Sequence, residues 1–171
     1  MAALFGMLFL LQSCTYAISS ATANKVDKNI TFEMLQLDPD SYKGSLVIFG
    51  GTIKETTYLQ HGMLIDVFQK PLDWWGRPIP TQRSGGRFLI YSPAILGPDS
   101  YAPGREITVA GEVAGTSLKG TGNMGDAELT EYDYPVLIEK ELQLWPNTKN
   151  PQLPDSWDSL ANPFASPRQG Y

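Results

Sequence analysis

Alternation of apolar and polar positions dominates the middle of the chain. Gly62–Gln69 (GMLIDVFQ) sets Met63, Ile65 and Val67 against Leu64, Asp66 and Phe68, the period of two that a strand with two different faces requires. Four more stretches carry β-forming residues: Ser45–Thr56 (SLVIFGGTIKET), Gly86–Ser92 (GRFLIYS), Gly104–Leu118 (GREITVAGEVAGTSL) and Tyr134–Trp145 (YPVLIEKELQLW). In the last, Val136, Ile138 and then Leu142 and Leu144 fall on alternating positions. Gly50-Gly51 marks a bulge or sharp bend in the first stretch, and Gly111 breaks the fourth. Five strands with turn signals between them and little helix predict an all-β fold, a small five-stranded OB-like barrel. Glycines inside the first and fourth strands suit the tight coiling of such a barrel. Ahead of the strands, Thr31 is placed to cap a short N-terminal helix with Phe32, Met34 and Leu35 toward the core, and DPDSYKG stops it.

Both ends of the chain break the pattern. Met1–Leu11 carries no charge, and Leu8–Leu11 is its densest apolar part. Roughly 10 apolar helical residues span about 15 Å, half of a ~30 Å hydrocarbon core, which is too short for a transmembrane helix. After Cys14 the sequence switches to TYAISSATANKVDKN, small and polar, which reads as linker rather than as more of a buried helix. An apolar run followed by such a break follows the logic of a signal peptide. No Lys or Arg precedes the run, so the expected positively charged segment is placed upstream of Met1. Beyond Trp145 the prolines at 146, 151, 154, 163 and 167 predict an irregular tail, with Trp157 and Phe164 able to dock on the barrel or on a partner. The organisation is therefore residues 1–13 signal peptide, 14–30 linker, 31–145 barrel and 146–171 Pro-rich tail.

Composition then removes whole classes of function. A net charge of −5 without any Lys/Arg cluster gives no footprint for nucleic acid. One cysteine and one histidine leave no disulfide framework and no Cys- or His-based metal centre. Gly120–Gly125 spells G-x-G-x-x-G, but Tyr134 follows only nine positions after Gly125. That leaves no crossover helix for a dinucleotide fold, so the motif reads as a turn loop and no cofactor is expected. Asp66 and Asp73 have nothing to fix them across a cleft and read as a solvent-facing carboxylate and a turn cap. His61 beside Gly62 reads as a turn residue, the serines lack a G-x-S-x-G context, and no catalytic residue is expected. Arg87 is expected to pair with a carboxylate such as Glu112 across the sheet.

The stretch PLDWWGRPIP is richer. Trp74, Trp75 and Arg77 fall between the second and third strands, near the face that OB barrels use for ligands. Two readings stand. Indoles beside a guanidinium suit stacking on a sugar or lying in a headgroup layer. Alternatively one indole plugs the end of the barrel and the other lies half-buried on its surface.

Leu11-Gln12-Ser13-Cys14 resembles the lipobox of bacterial lipoproteins, with Gln12 where a small residue is more usual. The runs SYKGSLVIFGGTI, LIDVFQKPLDWWGRPI, GRFLIY, YAPGREITVAGEVAG and YPVLIEKELQLWP resemble, in order and spacing, the Slp family of outer-membrane lipoproteins from Cys14 to about Trp145. The resemblance implies cleavage before Cys14, a diacylglyceryl group on its sulfur and an acyl chain such as palmitate on its new amino terminus. Thr15, where aspartate would signal retention at the inner membrane, implies delivery by the lipoprotein-sorting machinery to the outer membrane of a Gram-negative envelope. It further implies a non-enzymatic, lipid-anchored barrel on the periplasmic side, serving envelope structure or stress response. The alternative is a module that binds an envelope protein, peptide or glycan near Trp74 and Trp75.

Overall fold

The computed structural model describes residues 16–95, 97, 100–117 and 131–146. Cys14 and the apolar run before it, the G-x-G-x-x-G stretch, and the tail with Trp157 and Phe164 lie outside the described residues. Five strands, β1 (Leu46–Leu59), β2 (Gly62–Lys70), β3 (Arg87–Ser92), β4 (Glu106–Ser117) and β5 (Glu131–Leu144), close in the order β1-β2-β3-β5-β4. Neighbours are antiparallel except β3 and β5, which run parallel. This is the all-β, OB-like barrel that the strand pattern predicts. Two short helices precede it, α1 (Ser20–Ala23) and α2 (Phe32–Leu37), and a 3₁₀ turn over Pro39–Tyr42 follows α2.

Closure depends on β1 serving two ladders at once. Gly50, Gly51 and Thr52 pair with Lys70, Gln69 and Phe68 on one edge and with Thr108, Ile107 and Glu106 on the other. A Cβ on Gly51 would overlap the carbonyl oxygen of Phe68, so only glycine allows the strands to approach this closely. Both ladders run unbroken through the two glycines. Of the bulge or sharp bend expected there, the glycines mark the bend at which β1 passes from one ladder to the other, and the bulge falls at Lys54, between Ile53 and Glu55. The break expected at Gly111 is observed as a register shift after Ala110.

The interior is filled by side chains. Val47, Phe49 and Ile53 of β1, Met63, Ile65 and Val67 of β2, Phe88 and Ile90 of β3, Ile107, Val109 and Val113 of β4 and Leu137 of β5 form one core. Burying each such side chain contributes about 1.5–3 kcal/mol relative to exposure. Thr31 caps α2, its hydroxyl accepting from the Met34 N–H at 3.3 Å. The helix then drives Phe32 into the core, edge-on to Phe49 and Phe88 at centroid distances of 5.3 and 5.8 Å, with Leu35 fully buried beside it. Met34 departs from expectation and stays exposed, because two residues along a helix from Phe32 it points away from the barrel. In β5 the pairing steps from Glu139 opposite Gly111 to Glu141 opposite Ala110, leaving Lys140 as an extra residue. The bulge reverses the facing of the strand. Val136 and Ile138 therefore join a cluster with Leu89 and Tyr91, while Leu142 and Leu144 pack on the main core.

Gly51→Ala is expected to lower unfolding stability by about 3 kcal/mol or more through overpacking. Gly104→Ala, whose positive φ of 88° has open space around it, should cost only about 1 kcal/mol. Urea midpoints of the two variants check the contrast.

Candidate functional site

The segment between β2 and β3 folds into a hairpin of its own. Leu72 bridges to Pro78, and the Ile79 N–H donates to the Pro71 carbonyl at 2.8 Å. Asp73 sets the turn as expected, its Oδ1 accepting from the N–H groups of Trp75 and Arg77, each at 2.9 Å. The chain reverses through Gly76 at φ 84°, a left-handed conformation suited to glycine. A Cβ at Gly76 would stand 2.9 Å from the Ala17 methyl, so the N-terminal segment lies directly against the turn.

Three contacts fasten this hairpin to the outside of the barrel. Leu72 fills the space above Gly50, where a Cβ would meet its Cδ2 at 2.7 Å. The Thr108 hydroxyl donates to the Gly76 carbonyl at 2.7 Å and accepts from the Trp145 indole N–H at 3.0 Å. Arg77 turns toward the barrel, where Nε and Nη2 donate to Glu106 Oε2 at 3.1 and 3.0 Å and the guanidinium lies 5.5 Å from the Trp145 ring centre. Arg77 thus clamps the hairpin rather than standing free beside the indoles.

The indoles themselves face outward. Trp74 is 70% exposed, and Trp75 is half-buried with its ring centroid 3.5 Å from that of Trp74. Neither joins the core, so neither plugs the barrel; Phe32 of α2 occupies that place. Trp75 also lies against Tyr16, 5.5 Å between centroids, and its carbonyl accepts from the Ala17 N–H at 3.1 Å.

The beginning of the stretch read as linker therefore lies on the barrel. Ala17 and Ile18 are buried against Ala110 of β4, and Glu141 of β5 fastens Ser19 beside them. Its Oε1 accepts from the Ser19 N–H at 2.7 Å and its Oε2 from the Ser19 hydroxyl at 2.8 Å. Burial pushes the Glu141 carboxyl up, but hydrogen bonds from Thr22 and Ser19 outweigh it and hold its pKa below the ordinary value.

Other candidate groups are engaged structurally. Asp66 is 5% exposed rather than solvent-facing, because Arg87 caps it. Arg87 Nε donates to Asp66 Oδ1 at 3.1 Å and Nη2 to Oδ2, Nη1 donates to the Tyr134 hydroxyl at 2.9 Å, and Lys54 Nζ lies 3.5 Å from Asp66. The bond to Asp66 raises the Arg87 pKa above its ordinary value. Glu112, the partner expected for Arg87, pairs with Lys140 at 2.9 Å instead. Asp66 and Asp73 are thus held by different partners, one by a guanidinium and one by a turn. His61 lies in the β1–β2 turn, and its carbonyl accepts from the Tyr91 hydroxyl.

Beyond the hairpin, Pro80, Thr81, Gln82 and Ser84 wall a groove of about 570 Å³. Its floor is the cross-strand row Phe68, Thr52 and Glu106, with Lys70 beside it. Thr52 Oγ1 is buried there without a hydrogen-bond partner among the described residues. Sequence reasoning missed Tyr16, Glu141 and this floor. Only Tyr16 left a signal, an aromatic two positions after Cys14.

In comparison with known proteins, the model of the outer membrane lipoprotein Slp family matches residues 11–171, continuing past Trp145 to the end of the tail. No curated protein and no solved structure matches the chain.

These contacts set two measurable expectations. Asp66→Ala leaves Arg87 without its main partner and is expected to cost about 3 kcal/mol in urea unfolding. For Glu141, a folded pKa below 4.5 means that its stabilisation is present above that value and lost as pH falls through the folded pKa. The Ala17 and Ser19 amides should selectively lose protection from exchange, relative to their intrinsic rates, in that acid range, and Glu141→Gln should abolish the pH step.

Proposed function

The chain belongs to the Slp family of outer membrane lipoproteins, and from that membership we propose that its barrel is a non-enzymatic domain tethered through lipid on Cys14. The barrel hangs on the periplasmic side and serves the envelope as a structural or stress-response component. The observation that carries this reading is the docking of Tyr16 and Ala17 on the Trp hairpin, only two and three residues after the lipobox cysteine. Each buried methylene adds about 0.8 kcal/mol, so one myristoyl-sized chain binds marginally whereas several on one residue hold almost permanently. In this reading Asp66 and Asp73 serve the fold, one paired with Arg87 and the other capping the hairpin turn.

The groove beside the hairpin favours a second reading, an envelope-ligand module. Its volume of about 570 Å³ lies in the range of small-molecule sites. The half-exposed Phe68 ring offers a stacking face, and Lys70, Thr81, Gln82 and Ser84 offer polar partners for a glycan.

Mass spectrometry of the mature amino terminus is expected to show a chain starting at acylated Cys14 and recovered in outer-membrane fractions. Cys14→Ser should move the protein to the soluble fraction; an unmodified thiol on membrane-recovered protein would refute the tether. For the second reading, soluble peptidoglycan fragments should protect the groove amides from exchange, and Phe68→Ala should remove that protection without changing the urea midpoint appreciably.

A further inference from the structure

We infer that Tyr16, Trp74 and Trp75 form a preorganised seat in the headgroup layer of the leaflet that holds the lipid on Cys14. The inference rests on Cys14 being the acylated residue. Three observations carry it.

The first is reach. Two residues of chain span at most about 7 Å, while the headgroup–acyl boundary into which interfacial side chains sink is about 5–10 Å deep. Whatever path residues 14–16 take, acyl chains on Cys14 bring the Tyr16 backbone to that boundary. The second is exposure. Tyr16 is 56% and Trp74 70% exposed, and Ile79 on the same hairpin is exposed too. Amphipathic rings with one polar atom are the side chains that settle at headgroup depth.

The third is rigidity. Tyr16, Trp75 and Trp74 follow one another at centroid distances of 5.5 and 3.5 Å. The Ala17–Trp75 backbone bond, the Asp73 turn and the Glu141 clamp on Ser19 fix the N-terminal segment and the hairpin to each other. When the anchor is in the leaflet, the indoles cannot swing away from it without breaking those bonds.

The same geometry argues against a sugar platform at this pair, because Trp75 lies against both other rings and Arg77 is turned to Glu106. With that guanidinium engaged, the seat acts through apolar contact. Its depth should therefore be insensitive to salt, unlike attraction to anionic lipid.

The test uses the full acylated chain in vesicles of phosphatidylethanolamine and phosphatidylglycerol. Trp75→Phe, Trp145→Phe and Trp157→Phe together leave Trp74 as the emitting indole. Lipids brominated near the top of the acyl chain are expected to quench Trp74, its emission to shift to the blue, and iodide quenching to be largely lost, equally at low and high salt. To guard against unfolding of the triple variant, the native chain is compared with Trp74→Ser, which should lose part of the bromolipid-quenched emission, the remainder coming from Trp75, while remaining membrane-bound; an unchanged quenched fraction overturns the seat. Cys14 found acylated with Trp74 as open to iodide on vesicles as in the soluble Cys14→Ser protein overturns the seat but leaves the tether intact. Cys14 found unacylated overturns both. Protection of Trp74 in Cys14→Ser protein by soluble peptidoglycan fragments assigns the indoles to a glycan and overturns the seat.

Discussion

The structure depends on one strand having neighbours on both edges over Gly50–Thr52. Here β1 leaves its pairing with β4 and takes up its pairing with β2, so the sheet must curl on itself within a few residues. A side chain at Gly51 would meet the Phe68 carbonyl and hold the strands apart. With the glycine in place the curl tightens and the inward-facing residues of all five strands meet. Phe32 of α2 then completes the core with Phe49 and Phe88.

The outer surface is organised by the same spot. Because Gly50 has no side chain, Leu72 can lie over β1, and the Trp hairpin rests on the barrel wall instead of projecting from it. Thr108, which pairs with Gly50 across the ladder, accepts from Trp145 and donates to Gly76, joining the end of β5 to the hairpin turn. The N-terminal segment then packs against Ala110 in the next outward position of β4. Barrel closure and the surface hairpin thus share neighbouring residues.

Much of the barrel was legible because the alternation of β2 and the β-rich runs are local properties. Met63, Ile65 and Val67 face inward as their period implies, and Thr31 caps α2 as its position implies. What was not legible depends on distant partners. Asp66 looks like a solvent-facing carboxylate until Arg87, 21 positions on, folds over it. The reversal of β5 at Lys140 arises from its register with β4 and leaves no mark in the alternation itself. Ala17 and Ile18 are too few to show a period, so a docked segment read as linker. The outward indoles were identified as candidates, but the direction of Arg77 depends on Glu106, 29 positions away.

The Glu141 clamp bears on how far the molecule can range. With a tether on Cys14, as proposed, and Ala17 already fastened to the wall, the slack between lipid and barrel is three residues, about 10 Å at full stretch. A domain on so short a leash cannot sweep the compartment beneath it. It patrols a thin layer under the bilayer, and any molecule it meets must come to that layer.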